Sequence, residues 1–324
     1  MLLDIAILSY NRTHELARAL QSFETIVNEC VRVVVYEDCS PNQAKIEKIC
    51  SEFQDILSIP LVYCPGSTNV GYDRNLLRAF DTDSDFTLLL SDDDFVDPVF
   101  FESFIERLKN FTGDVLISSF SKRGEIYRSA GHYFGGYSQH VLYDSVLFSG
   151  LVFRNSVISL DQDELSLLGT SIYTQVYLVS KFWRADSGYF TSPFIVAGED
   201  GENYFGKSES SQEQTILSDR SHHDSNLAYQ ERFQKISLLG INRYHPSLEK
   251  AFLHSYSLRL ISHFFRVKLN NPSNFWDSFS KLSSRDLNFY KYVYPLVFLI
   301  GILPSFSARY IYQTAISKLR ISGG

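Results

Sequence analysis

Residues 86–94, FTLLLSDDD, decide how this chain is read: an apolar run breaks into three consecutive aspartates. In an α/β protein, a buried strand ending in clustered carboxylates places oxygen ligands at the carboxyl edge of the sheet. Such ligands suit hard divalent ions such as Mg2+ or Mn2+, which bind through one or two carboxylates plus substrate phosphates. An isolated Asp-Asp-Asp suits a solvated acidic turn equally well, so its surroundings must choose.

On the N-terminal side, LDIAILS (3–9), VRVVVY (31–36) and LVYC (61–64) have the near-continuous apolar, β-branched character of buried parallel strands. Between them apolar residues fall at helical spacing. Leu16, Ala17, Leu20 and Phe23 follow cap chemistry at Asn11–Thr13, and Ile46, Ile49 and Phe53 lie within 42–54. RNLLRAF (74–80) opens a third helix before the strand FTLLL (86–90). Strand–helix alternation predicts a doubly wound, Rossmann-like, mostly parallel sheet, with ligands at the strands' carboxyl ends. The loops there are LSYNR, YEDCSPN, PGSTNVGYDRN and SDDD. The spacing further predicts a helix over 99–109, strands over 114–120 and 149–159, and a helix over 165–183. The Gly- and aromatic-rich stretch 124–140 reads as a loop whose Tyr133, Phe134 and Tyr137 are available to stack on a sugar. Residues 1–211 are expected to form the α/β domain, its ligand-binding part in 1–120 and a second-substrate side in 121–211. Residues 212–324 are expected to form a helical region.

The chain has 324 residues, 44% hydrophobic and 21% charged, the balance of an ordinary globular protein. A net charge of −7 lacks the basic footprint of nucleic-acid binding. Cys30, Cys39, Cys50 and Cys64 have neither CxxC nor CxxH spacing, so four reduced, mostly buried thiols are expected. MLLDIAILSYNR enters a strand directly, without a basic n-region, which points to a cytoplasmic protein. Residues 293–306 (VYPLVFLIGILPSF) are intensely apolar but short for a bilayer span, which takes about twenty residues. With Arg309, Lys318 and Arg320 following, 286–320 suits peripheral contact with the inner face of a membrane, and equally a buried helical hairpin or self-association.

Four segments in order, ILSYNR (7–12), VVYEDCSPN (34–42), NVGYDRN (69–75) and LLLSDDDFVDP (88–98), resemble glycosyltransferase family 2, the inverting enzymes of the GT-A fold. The resemblance covers about the first 120 residues and is of the type that builds bacterial capsule or O-antigen polysaccharide. It implies a nucleotide-sugar donor and a glycan or lipid-linked saccharide acceptor. Ser9, Tyr10, Asn11 and Arg12 would frame the base. Asp38, with Glu37 beside it, would accept from the base or ribose, although such a pair also suits a turn cap. Asn69 and Gly71 would shape the close approach of the backbone. Arg74 and Asn75 match the family's Arg-Asn pair at a helix start, where an anion is favoured.

Anchoring on Phe95 and Pro98 places the metal-binding aspartate at Asp93, with Asp94 after it. Ser91 then stands where the family has an earlier aspartate; either Asp92 would take over its ribose contact or the register shifts by one. Mn2+ or Mg2+ would neutralise the leaving diphosphate. The resemblance also implies a general base for the acceptor hydroxyl, in a Glu-Asp pair opening a helix. GTSIYTQVYL (169–178) lacks that pair, leaving Asp161, Asp163 and Glu164 as candidates, with Glu199 and Asp200 further on. His222 and His223, followed by Asp224, suit either a metal shell or a helix start.

A dinucleotide-dependent oxidoreductase needs a glycine-rich turn after the first strand, and LSYNRTHE has none. A nucleotidyltransferase would need a glycine- and Lys/Arg-bearing phosphate loop there. A catalytically silent sugar-nucleotide-binding or scaffold protein of the same fold stays open.

Overall fold

A computed structural model describes residues 1–122, 125–128, 139–169, 171–198, 222–270, 272–283 and 293–321. Strands β1 (Leu3–Ser9), β2 (Val31–Glu37), β3 (Leu61–Pro65) and β4 (Phe86–Ser91) alternate with helices α1 (Thr13–Gln21), α2 (Gln43–Gln54) and α3 (Tyr72–Arg78). They pair in parallel in the order β3-β2-β1-β4. The register decides the site: Ser9 lies beside Glu37, and Leu8 beside Ser91, so three strands end flush.

Beyond β4 come β5 (Phe95–Val96), α4 (Phe101–Lys109), β6 (Val115–Lys122), β7 (Glu125–Arg128), α5 (Gln139–Asp144), β8 (Leu151–Arg154), α6 (Gln162–Leu168), α7 (Thr174–Phe182) and β9 (Gly188–Val196). The sheet becomes mixed here: β8 is antiparallel to β4 and β6, β9 is parallel to β6, and β5 pairs antiparallel with β9. Two expectations are corrected. The strand over 149–159 is confined to Leu151–Arg154 and runs into a 3-10 turn. The helix over 165–183 is two helices, interrupted after Gly169, with Ile172 in the left-handed region at φ 57°.

Alternation along the strands fills two cores. Ile5, Ile7, Val33, Val35, Leu88 and Leu90 face α1, α2 and α4, represented by Leu16, Leu20, Ile46 and Phe104. Ala6, Leu8, Val34 and Leu89 point oppositely, against Leu76 of α3, Ala79 at its C-cap, and Leu178 and Val179 of α7. Each such buried aliphatic side chain contributes about 1.5–3 kcal/mol. All four cysteines are free, but only Cys50 is buried; Cys30 is exposed, which corrects the expectation of mostly buried thiols.

The helices that follow are α8 (His222–Tyr244), α9 (Glu249–Asn270), α10 (Phe275–Ser283), α11 (Val293–Ile302) and α12 (Ser305–Ile321). The chain divides into two compact units, Met1–Ser208 with Lys235–His245, and Glu209–Gln234 with Pro246–Gly324. The helical region expected from 212 onward does not include this return of Lys235–His245 to the first unit. Packing explains it: a Cβ on Gly240 would stand 2.5 Å from Ser180 Cβ, and the Tyr244 hydroxyl donates to Glu164 at 2.8 Å. Within the second unit, Lys268 Nζ donates to the Gly301 carbonyl at 2.8 Å.

Candidate active site

The three flush strands release SYNR, EDCS and SDDD from one edge of the sheet. Asn11, at φ 62°, turns the chain in the left-handed region and accepts from Asn42 Nδ2 at 2.7 Å. That turn brings Arg12 under the acidic loop, where its guanidinium lies 3.1 Å from Asp92 Oδ1 and 2.8 Å from Asp93 Oδ2. Asp92 also accepts from the Tyr10 N–H at 3.3 Å and is only 3% exposed. Burial pushes its carboxyl up to about 7 in spite of Arg12, with Asp93 adding to the rise. Asp93 accepts from the Ser91 hydroxyl, and its side chain remains 25% exposed. Asp94 accepts from the Ser149 hydroxyl and, at 3.3 Å, from the Gly198 N–H. A Cβ on Gly198 would stand 1.7 Å from the Asp93 carbonyl oxygen, so only glycine fits against the acidic turn.

Each carboxylate after β2 is engaged by backbone N–H groups. Glu37 is fully buried and accepts from Cys39 N at 2.9 Å and Ser40 N at 2.7 Å, which makes it the closure of its own turn. Asp38 accepts from Val70 N at 2.8 Å and Gly71 N at 2.9 Å, clamping the third loop onto the second. Burial pushes Asp38 above its ordinary value against the pull of those N–H groups. Gly71 needs its freedom, with φ at +82°, and Asn69 Oδ1 accepts from its N–H at 3.0 Å. Asn75 is buried, donating to the Tyr36 carbonyl at 3.0 Å and accepting from Arg78 at 2.9 Å. Arg74 is exposed and has no carboxylate partner among the described residues.

Residues 4–159 match the family model described as Glycosyl transferase family 2. These residues form a glycosyl transferase family 2 domain. The chain is a glycosyltransferase, and its curled, mostly parallel sheet is the GT-A fold. A similar solved structure is S. aureus TarS 1-349 in complex with UDP-GlcNAc, 14% identical, covering 91% of each chain with a TM-score of 0.51. Another is the mannosyltransferase PcManGT from Pyrobaculum calidifontis in complex with GDP-Man and Mn2+. It is 12% identical, with 98% of this chain and 86% of that chain covered and a TM-score of 0.48. No curated protein sequence matches the chain.

In this glycosyltransferase two of the expected bases are committed to structure. Asp161 and Glu164 form a capping box on α6, each accepting from the other's backbone N–H at 2.8 and 2.9 Å. Glu164, 1% exposed, also accepts from Tyr177 at 2.6 Å, Tyr244 at 2.8 Å and Lys181 at 2.7 Å. Asp161 further contacts Arg243 at 3.3 Å. Asp163 is exposed in the first turn of α6. Glu199, Asp200 and the loop bearing Tyr133, Phe134 and Tyr137 lie outside the described residues, as do the side chains of His222, His223 and Asp224.

The first turn of α7 carries Thr174 and Gln175 and no carboxylate. Asp73 of α3 reaches this turn instead, accepting from Ile172 N at 2.7 Å, Thr174 Oγ1 at 2.8 Å and Ser171 Oγ at 3.1 Å. Asp73, Gly198, Ser149 and Arg78 organise the site and were not singled out from sequence. Only the fold shows that residues so far apart in the chain meet there.

Burial alone would push the Glu164 carboxyl up, but its bonds from Lys181, Tyr177, the Asp161 N–H and Tyr244 hold it at about 2. Its folded value lies below the ordinary 4.5, so its stabilisation is complete above pH 4.5 and disappears as pH falls toward 2. Glu164→Ala should cost about 3–5 kcal/mol by leaving Lys181 uncompensated. In urea unfolding, the stability gap between wild type and Glu164→Gln should narrow over that acid window; a pH-independent gap would contradict this role.

Proposed function

We propose that this glycosyltransferase takes a sugar from a nucleotide-sugar donor, aided by a divalent metal ion, and inverts the anomeric centre in the transfer. The acceptor is a glycan or lipid-linked saccharide of capsule or O-antigen type. The observation that carries this reading is the convergence on one sheet edge of SYNR, the Asp38-clamped loop and the acidic turn, with Asp93 the partly exposed carboxylate between two engaged neighbours. Tyr10 and Asn11 border the base, and Asp38 keeps lone pairs for the base or ribose beyond its two backbone bonds. Arg74, exposed and without a carboxylate partner among the described residues, supplies a cation for the diphosphate.

The donor set fits Mg2+ or Mn2+. Among the described residues no three His, Cys, Asp or Glu side chains converge as a protein cage. A hard ion held by Asp93, with Asp94 beside it, and by donor phosphates needs no such cage. When bound, it would neutralise charge on the departing diphosphate. Arg12 lies 2.8 Å from Asp93 Oδ2, so an ion held by Asp93 would compete with its guanidinium. Asp161 and Glu164 are both tied into structural contacts, so Asp163, exposed in the first turn of α6, is the base candidate outside those contacts among the described residues.

Thermal melting across UDP, GDP, CDP and dTDP, with and without Mn2+, tests donor binding. One diphosphate should raise Tm by several degrees, because a ligand specific to the native state stabilises it. Asp93→Ala should remove the metal-dependent part; a variant that responds as wild type does would refute the assignment of Asp93. Mn2+ titration by electron paramagnetic resonance without nucleotide tests Arg12. Arg12→Gln should bind Mn2+ roughly tenfold more tightly, since a unit charge at 4 Å is worth ~1–4 kcal/mol between bulk water and a protein surface. Equal or weaker binding would show that Arg12 does not compete with the ion.

A further inference from the structure

The second unit exposes an apolar surface. α11 buries Val293, Val297, Ile300 and Gly301 on one face. Its other face carries Leu296, Leu299 and Ile302, which are 50, 51 and 58% exposed. α12 extends this surface with Phe306 at 77% and Tyr310 at 73%, and Arg309 is exposed between them. A helix apolar on all sides is ordinarily buried, and large exposed apolar side chains gathered on two consecutive helices mark an interaction site.

Charge selects the occupant. Residues 287–324 contain Lys291, Arg309, Lys318 and Arg320 and no Asp or Glu, in a chain whose net charge is −7. A second copy docked symmetrically here would bring identical cations together. An anionic lipid surface would instead meet the cations while accepting the apolar side chains. No helix of the described residues is long and apolar enough to cross a membrane; α11 has ten residues, so the geometry is one of lying in the interface.

We propose that Leu296, Leu299, Ile302, Phe306, Arg309 and Tyr310 form a docking surface for an anionic lipid bilayer. The surface lies outside the donor site, and its test needs neither donor nor metal, so it stands or falls separately from the transfer reaction. The full chain is sedimented with vesicles of phosphatidylcholine alone, or with about one-third phosphatidylglycerol, at low and high salt. Wild type should partition roughly tenfold more strongly onto the anionic vesicles, and less so in high salt. Phe306→Ser with Tyr310→Ser, and separately Arg309→Glu, should each weaken that binding roughly tenfold at unchanged Tm, because all three positions are exposed. Equal partition onto both vesicles, or none, overturns the proposal. So does a wild-type dimer in analytical ultracentrifugation that the double variant disperses while vesicles bind neither protein.

Discussion

Parallel pairing of β1 with β2 on one side and β4 on the other brings three strands to an end within one residue of each other. Side chains alternate along each strand, so this register also sorts the apolar residues into two cores and secures the pairing on both faces. A one-residue slip of β4 would turn Leu88 and Leu90 toward the wrong core and carry the acidic turn away from Arg12. The location of the site is therefore set by hydrophobic packing.

At that edge, buried carboxylates are satisfied mostly by the backbone. Glu37 closes a turn, Asp38 joins two loops, and Asp73 anchors the start of α7 to α3. Each would be costly to bury without its N–H partners, and each fixes a loop that otherwise has little apolar surface. Among the described residues of this edge, Asp93, shared with Arg12, and its neighbour Asp94 stay partly exposed, and Arg74 is exposed. Rigid clamps around a small accessible centre suit a site whose work is chiefly electrostatic.

The strands were legible because buried parallel strands demand runs such as VRVVVY, whose β-branched composition suits no exposed element. The loops were legible as a set because alternation sends all of them to one edge. Whether an individual carboxylate would meet a ligand or an N–H was not legible, since residue type does not reveal which lone pairs the turn consumes. Glu37 shows this: its oxygens serve residues two and three positions on. Asp161-x-x-Glu164 is a capping-box signature and could have been read as one. Contacts of Gly198 with Asp93, or of Asp73 with Ile172, depend on the order of strands and helices beyond β4, where the sheet turns mixed and the pattern gives no register.

If this edge of the sheet releases a sugar from a nucleotide, free nucleoside diphosphate is the product to follow. Purified protein would be incubated with Mn2+ and each of a panel of UDP-, GDP-, CDP- and dTDP-sugars, with the nucleotide products separated by ion-exchange chromatography. One donor class should yield its nucleoside diphosphate in a reaction abolished by chelation and by Asp93→Ala. A wild-type protein stabilised by a nucleoside diphosphate yet releasing none from any donor, with or without a saccharide acceptor, would contradict this activity.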